Sequence, residues 1–496
     1  MFKPDLKLFL EKTKIGNLIP VYKEIFADME TPVTAFRKLY SKRYAFLLES
    51  VEGGEKIGRY SFLGFDPDMI FSAKDDSVII TKSTGEEIVH EKTRNPFGRL
   101  KELVTGVTFV EDEHLPRFSG GAVGFIGYGM VHHFDNISQN NDDNLFLPDM
   151  SFFICNTYII FDHIKHVIQV VRNVAITEDP KKDYEKACQR IDTVIELLNT
   201  PLSYEPIEST VVLSEVKADS NVTKDAFETM VKKAKDYIYE GDIIQVVLSQ
   251  QFKTKIKTSG FEIYRALRSV NPSPYMYILK YDDCEIVGAS PEVMVRCEDR
   301  KVEVRPIAGT RPRGNNEQED KKFEKELLQD PKECAEHIML LDLGRNDVGR
   351  VCDYETVQVN DCMIIERYSH VMHIVSDVTG TLSEKKDHFD ALQAAFPAGT
   401  VTGAPKIRAM QIIEELEGSK RGPYAGAIGY FSFSGDLDSC ITIRTLVIKE
   451  NMAYVQAGAG IVADSVPETE YIETVNKAQA LLKAIAMAEA FHKKKK

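Results

Sequence analysis

Apolar positions in this chain follow two periods. From residue 43 to 82 the runs "YAFLLES", "RYSFLGF", "MIFSA" and "SVIITKS" are short, and "VEGGEK", "DPD" and "KDD" separate them. Short apolar runs between such turn residues predict hairpin strands. "SFFICNTYIIFDHIKHVIQVVRNVAI" (151–176) predicts two more strands with a turn at "DHIKH". The period then changes. In "KKDYEKACQRIDTVIELLNT" (181–200), Ala187, Ile191, Val194, Ile195 and Leu198 recur at helical spacing. Residues 201–223 lose that period, and "SNVTKDAF" opens a helix that ends near Gly241, before the strand "DIIQVVLSQQFKTKI". Further on, the pattern predicts a helix through 319–344, strands at 354–360 and 369–382, and a helix at 404–417. Strands follow at 425–433, 440–449 and 452–463, then a last helix from about 467 to 491. Its apolar stripe is Ile472, Val475, Ala478, Leu482, Ile485 and Ala488. This mixture predicts an α+β fold with mainly antiparallel sheet. It divides the chain into 1–200, a connecting segment 201–223, a main region 224–491 and a basic tail 492–496.

Composition narrows the class. With 496 residues the chain is too long for one ordinary core. A formal net charge of −14 argues against a nucleic-acid binder, whose phosphate contacts need a basic face. It leaves room for a small anionic substrate in a local basic pocket. The eight cysteines include no CxxC pair, so reduced thiols and a cytoplasmic protein are expected. No apolar run approaches the ~20 residues of a membrane span, and the charged start does not suit a signal peptide. Tryptophan is absent beside 26 Phe and 20 Tyr, a weak hint of a protein needed when tryptophan is scarce.

Several motifs carry candidate chemistry. "DPKECAEHIMLLDL" and "PETEYIETVNKAQALLKAI" place Glu333 with Glu336, and Glu470 with Glu473, three apart on helices. Each pair shares a helix face and repels itself. Either both faces are solvated, with Glu473 paired to Lys477, or a hard divalent cation lies between them. "PAGTVTGAPKIRAM" and "QAGAGIVADS" are glycine turns with exposed backbone, the first entering a helix. "CITIRTLVI" sets Arg444 inside an apolar strand, where it needs an anionic partner, from the protein or from a ligand. His370 and His373 fall on opposite strand faces and cannot share a metal; either one could titrate near neutrality. Gln245 sits in an apolar strand, on one face with Val247 and Ser249, and must find partners or line a wet pocket.

Six stretches carry a resemblance: "PIAGTRPRG", "AEHIMLLDLGRND", "HIVSDVTG", "PAGTVTGAPKIRAM", "RGPYAGAIGY" and "AGAGIVADSVPETEYIETVNKA". In order and combination they resemble the chorismate-utilising enzymes over about 225–485, and the first half resembles that family's amino-terminal region. "LLES" (47–50) and "NPSPYMYIL" (271–279) are similar to the tryptophan-sensing elements of the branch that makes anthranilate.

The resemblance implies large sheets packed as a sandwich with flanking helices, the first 200 residues being intertwined with the catalytic core. It implies magnesium on Glu336 and Glu473, with Glu333 and Glu470 as outer carboxylates. Tyr424, Arg444, Gly458, Ala459 and Gly460 would clamp the enolpyruvyl carboxylate. Gly309, Thr310, Thr400 and Lys477 would position substrate. His373 would stand beside the reacting ring, and Glu292 would help the 4-hydroxyl leave. Glu49, Ser50, Pro274, Tyr275 and Met276 would wall a tryptophan site for feedback inhibition. Relatives that make aminodeoxychorismate carry a nucleophilic lysine where this chain has Ala308. Isochorismate and salicylate synthases carry a water-activating lysine where it has Gln245. Without either lysine, the implied reaction is amination of chorismate by external ammonia, then loss of pyruvate to give anthranilate. A separate glutamine amidotransferase subunit would supply the ammonia, in a heterodimer or heterotetramer. An aminodeoxychorismate-forming subunit and a silent tryptophan-binding subunit are the alternatives.

Overall fold

The computed structural model describes residues 1–51, 58–139, 141–202, 216–368 and 371–493. His370, most of the connecting segment and the end of the basic tail lie outside the described residues. Among the described residues the strands form two antiparallel sheets, of 13 and 12 strands. The first runs from the amino-terminal strands through Ala45–Glu49, Tyr275–Lys280, Cys284–Ser290, Thr445–Lys449 and Met452–Ile461 to Gln245–Lys255. The second runs from Ile307–Pro312 through Val371–Thr381, Val293–Glu298, Leu437–Ile441 and Ala427–Ser432 to Gly121–Ile126 and four further amino-terminal strands. Both halves of the chain enter both sheets. Ala45–Glu49 pairs with Tyr275–Lys280, Met276 opposite Glu49, and Gly121–Ile126 pairs with Ala427–Ser432.

An aromatic core that includes Phe46, Phe62, Phe118, Phe125, Phe153, Tyr158, Tyr277 and Tyr430 fills the space between the sheets. The outer face of the first sheet is covered by Pro180–Leu198, Gly260–Val270 and Pro467–Lys493. Pro96–Thr105, Pro331–Gly349, His388–Ala395 and Lys406–Leu416 pack about the second core. The result is the α+β sandwich with flanking helices that the sequence suggested.

Several boundaries differ from the sequence reading, for local reasons. The helix expected over 319–344 is two, Glu317–Gln329 and Pro331–Gly349. Pro331 has no N–H to continue the first helix, and the Asp330 carboxylate caps the second by accepting from Lys332 N (3.0 Å) and Glu333 N (3.3 Å). Tyr354–Thr356 is a short 3₁₀ turn, and the strand begins at Gln358. The run at 151–176 makes three strands, because Asn156 ends Met150–Cys155 in one sheet and Thr157–Asp162 continues in the other. The strand expected over 440–449 divides in the same way. Leu437–Ile441 belongs to the second sheet, Thr445–Lys449 to the first, and Arg444 lies between them with φ +50°. Arg444 is therefore a half-buried corner residue and not part of a strand. Continuous hydrophobicity hid both breaks: a chain passing between two sheets stays apolar throughout.

Candidate active site

Where the chain crosses between sheets it opens a cavity of 790 Å³. Strand Gln245–Lys255 contributes Gln245 and Val247, and Met452–Ile461 contributes Gln456, Ala457, Gly458 and Gly460. Two crossings bring in Glu292 and Arg444. The strand residues Ile307–Thr310, the turn at Thr400 and strand residue His373 line one side. Glu333 and Glu336 face in from Pro331–Gly349, and Glu470, Glu473 and Lys477 from Pro467–Lys493. The structure thus gathers nearly all the residues singled out from sequence. Ala459 does not line the cavity: strand alternation turns its side chain into the core, fully buried. Ser249 also turns away, to the carboxylate of Glu417 (2.8 Å).

Space is tight at the two glycines of the clamp, most of all at Gly458, where a side chain would also meet the Leu248 carbonyl. A Cβ on Gly458 would lie 2.6 Å from Tyr424 Oη, and one on Gly460 2.7 Å from Gln245 Nε2. Lys477 Nζ donates to Gly458 O (2.9 Å) and pairs with Glu473 (2.7 Å), so it ties the last helix to the glycine strand. Four buried polar atoms of cavity-lining residues have no hydrogen-bond partner: Gln245 Oε1, Asn271 Nδ2, Thr400 Oγ1 and Gln456 Oε1. Buried polar groups are rarely left so, and a polar ligand in the cavity would satisfy them.

The titratable groups are set apart by their surroundings. Burial pushes the Glu292 carboxyl up to about 7, against the pull of the nearby Thr400 hydroxyl, Arg444 and Lys477. It keeps a proton up to near neutrality, as a proton donor must. Burial pushes His373 down; its contact with the Gly309 carbonyl works the other way, and Arg444 lowers it further. His373 Nδ1 lies 2.8 Å from Gly309 O. A carbonyl only accepts, so Nδ1 carries the proton and Nε2 presents a lone pair. Tyr368 packs its ring edge-on to His373, centroids 5.6 Å apart.

Burial also raises Glu336 and Glu470, and each feels the like charge of Glu473. This oxygen-only donor set, repelling itself across the cavity, fits the chemistry of a hard divalent cation. Among the described residues no three His, Cys, Asp or Glu side chains close on one ion. Glu333 is drawn to Arg311 (3.3 Å), Glu473 to Lys477, and Glu336 accepts from Gln245 Nε2 (3.3 Å).

Sequence reasoning missed the support behind the clamp. Arg421 and Glu417 form a fully buried pair, with Arg421 Nη2 2.6 Å from Glu417 Oε1 and Nε 2.8 Å from Oε2. Arg421 also donates to Val401 O and Val247 O (2.7 Å each), and lies over the rings of Tyr128 and Tyr424. Its signal was the Arg that opens "RGPYAGAIGY", a charge beside an apolar run.

The second group of residues meets elsewhere. Glu49, Ser50, Pro274, Tyr275 and Met276 line one 60 Å³ cavity with Arg117, Arg296, Tyr430 and Asp438. Tyr275 Oη donates to Asp438 (2.8 Å), and Glu49, raised by burial, holds Arg268 at 3.4 Å and the Tyr264 hydroxyl. Pro274 borders this cavity and the larger one alike.

A cavity lined by paired carboxylates, an acid near neutrality, a neutral histidine and a glycine-backed cationic clamp defines an enzyme for a small polyanion. A family model described as chorismate binding enzyme matches residues 43–483. Anthranilate synthase component 1 of Acetivibrio thermocellus is 48% identical over 98% of this chain and 99% of its own. The same component from Aquifex aeolicus is 47% identical over 95% and 96%. The crystal structure of anthranilate synthase component I from Streptococcus pneumoniae superposes with a TM-score of 0.76, at 38% identity, over 92% of this chain and 99% of that one. The chain belongs to the chorismate-binding enzymes, in their anthranilate synthase component 1 branch. It is an enzyme that acts on chorismate.

Proposed function

We propose that the chain is the aminating subunit of an anthranilate synthase, converting chorismate and ammonia to anthranilate, pyruvate and water at the first committed step of tryptophan synthesis. The observation that carries this reading is the cavity wall itself. It holds Ala308 and Gln245 where lysines would direct other chemistries, beside an acid, a neutral base and unpartnered polar atoms. Tyr424, Arg444 and the Gly458–Gly460 backbone hold the enolpyruvyl carboxylate. Glu336 and Glu473, backed by Glu333 and Glu470, would hold magnesium, which supplies charge neutralisation for the ring carboxylate. Ammonia attacks C2 as the C4–O bond breaks, and Glu292 gives its proton to the departing hydroxyl. His373 then removes the C2 proton from the aminated ring. As the C3–O bond breaks, the enolpyruvyl group gains a proton at its methylene carbon and leaves as pyruvate, and the ring becomes aromatic. Catalysis is positioning and fixed electrostatics, with no covalent intermediate on the protein.

The reading includes a glutamine amidotransferase partner, because ammonia is mostly protonated at neutral pH. Ile244, Ile338, Ile407, Val466 and Ile472 are large apolar residues left exposed. They neighbour, in sequence, Gln245, Glu336, the 403–404 strand, Glu470 and Glu473, which supports a docking face near the cavity mouth. Tryptophan would bind at the Glu49–Met276 cavity. At 60 Å³ that cavity is too small for the whole amino acid, so its walls must part on binding. Feedback needs such a two-state element. A cytoplasmic location accords with eight free cysteines; among the described residues no helix is long and apolar enough to cross a membrane.

Anthranilate fluorescence tests all of this with purified chain, chorismate, magnesium and ammonium at raised pH, repeated with EDTA and with tryptophan. Magnesium-dependent, tryptophan-suppressed signal is expected. Chorismate consumed without anthranilate would point to an aminodeoxychorismate or isochorismate product. Tryptophan binding without turnover, even with an amidotransferase added, would point to a silent regulator.

A further inference from the structure

Behind Glu292 and Thr400 lies another cavity, of 50 Å³, which shares Glu292, Thr400 and Leu340 with the active site. Apart from its polar members its wall is apolar, with Val293, Met294, Val304, Leu343 and Ile441 among its residues. Yet three buried polar atoms belong to lining residues and have no hydrogen-bond partner: Thr400 Oγ1, Asp347 Oδ1 and Arg305 Nε. Asp347 is 6% exposed. Its other oxygen accepts from Lys406 Nζ at 2.9 Å, and Lys406 also donates to Ala395 O (3.3 Å). A space that exceeds the ~10–15 Å³ needed for one water, with an acceptor, a donor and a hydroxyl around it, is built for ordered water.

The proposed reaction gives such water a task. Each amination takes one proton from Glu292, which leaves with the C4 hydroxyl as water. Ammonia releases the balancing proton at C2, on the other reacting carbon. Glu292 must be reloaded, and while substrate or product fills the open cavity the water behind Glu292 is the side left free. We propose that the water in this cavity returns the proton to Glu292 after each amination, with Asp347, held by Lys406, as the group that exchanges protons with it. The inference rests on the reading of Glu292 as the acid. Asp347 passes a proton through the water to the Glu292 carboxylate and takes another from water that exchanges with solvent. No bond other than O–H changes. The charged groups facing the relay are Lys406 and Arg350 at Asp347, Arg305 on the cavity wall, and Arg444 and Lys477 at Glu292. Burial raises the Asp347 carboxyl, in keeping with a group that takes up and releases a proton. Asp347 acts through water and is a positioning residue, not a catalytic one.

The test is stopped-flow anthranilate fluorescence on the full chain with chorismate, magnesium and ammonium. Below about pH 7 Glu292 begins protonated, so there Asp347→Asn should make about one anthranilate per site at the parent rate. Its steady rate should then fall at least roughly tenfold, the smaller end of what a displaced acid or base costs. Imidazolium or acetic acid, as small proton carriers, should restore it. Ala398→Val fills the cavity without touching a carboxylate and should give the same burst without rescue; it decides the matter if Asp347→Asn does not fold. Loss from the first turnover onward, or an unchanged steady rate in both variants, overturns the relay. If the parent chain makes no anthranilate even with an amidotransferase, the functional reading has failed and the relay with it. If the parent works and the variants show no burst, only the relay has failed.

Discussion

Arg421 offers the most direct test of how the clamp is held. Its side chain and that of Glu417 are 1% and 3% exposed. Burial opposes the charge on Arg421, and Glu417 more than restores it. Replacing Arg421 with methionine keeps much of the volume but leaves the Glu417 carboxylate buried with only Ser249 N (2.6 Å) and Oγ (2.8 Å) as donors. Removing one partner of a buried pair costs about 3–5 kcal/mol. The stranded carbonyls of Val247 and Val401 add about 1 kcal/mol each. Arg421→Met should therefore lose about 5–7 kcal/mol, a large part of the ~5–15 kcal/mol by which proteins are stable.

The double variant Arg421→Met/Glu417→Leu removes the uncompensated charge and strands the Ser249 donors in addition to the two carbonyls. It should be more stable than the single variant by about 2 kcal/mol, since an unpaired buried charge costs more than two unpaired neutral groups. Urea unfolding followed by far-ultraviolet circular dichroism reads both, because the chain has no tryptophan to report by fluorescence. Both variants should also raise KM for chorismate, since Tyr424 rests beneath the guanidinium and Thr400 adjoins the Val401 carbonyl that it holds. A single variant within about 1 kcal/mol of the parent, or a double variant less stable than the single, would refute the argument.

Three further outcomes are expected. Glu336→Gln and Glu473→Gln should each lower kcat/KM for chorismate at least about 100-fold and shift the magnesium titration to higher concentration; an unchanged titration would remove both from the metal. Glu292 is protonated below its value of about 7 and loses its proton as pH rises through it. At constant free ammonia, kcat/KM should therefore fall above neutrality with a one-proton slope, and a profile flat through that range would exclude Glu292 as the acid. Met276→Thr and Ser50→Phe alter the wall of the smaller cavity, where Met276 is 1% exposed. Tryptophan inhibition should weaken about tenfold or more while uninhibited kcat changes little; unchanged inhibition in both would place the effector elsewhere.

The sequence was most informative where a residue type conflicted with its surroundings. Paired glutamates, an arginine in an apolar run and a glutamine in a strand each marked a cavity wall. Glycine-rich stretches marked places where a side chain would strike Tyr424 or Gln245. Topology was less legible. That Ala45–Glu49 lies beside Tyr275–Lys280 is set by pairing across more than 200 residues, and local periodicity carries no trace of it. The strand breaks at Asn156 and Thr442–Arg444 were hidden for the reason given by the fold: both flanks are buried on both faces. Arg421 and Asp347 were passed over because their partners, Val247, Val401, Ser249 and the Glu292 cavity, come from distant segments.

Arg444 shows how the fold exchanges stability for position. A non-glycine residue at φ +50° carries strain of about 1–2 kcal/mol. The corner needs that turn, because the chain must leave Leu437–Ile441 in one sheet and enter Thr445–Lys449 in the other. Glycine would make the turn without strain but could not place a cation in the cavity. Arg444→Gly should therefore keep the fold, with thermal stability equal to the parent or slightly above it, since relief of strain offsets the loss of side-chain packing. KM for chorismate should rise by about 100-fold, the scale of one charge-assisted contact. The two effects must separate. If stability and affinity fall together, Arg444 is a structural corner whose charge the protein itself uses, and the clamp rests on Tyr424 and the glycine backbone alone.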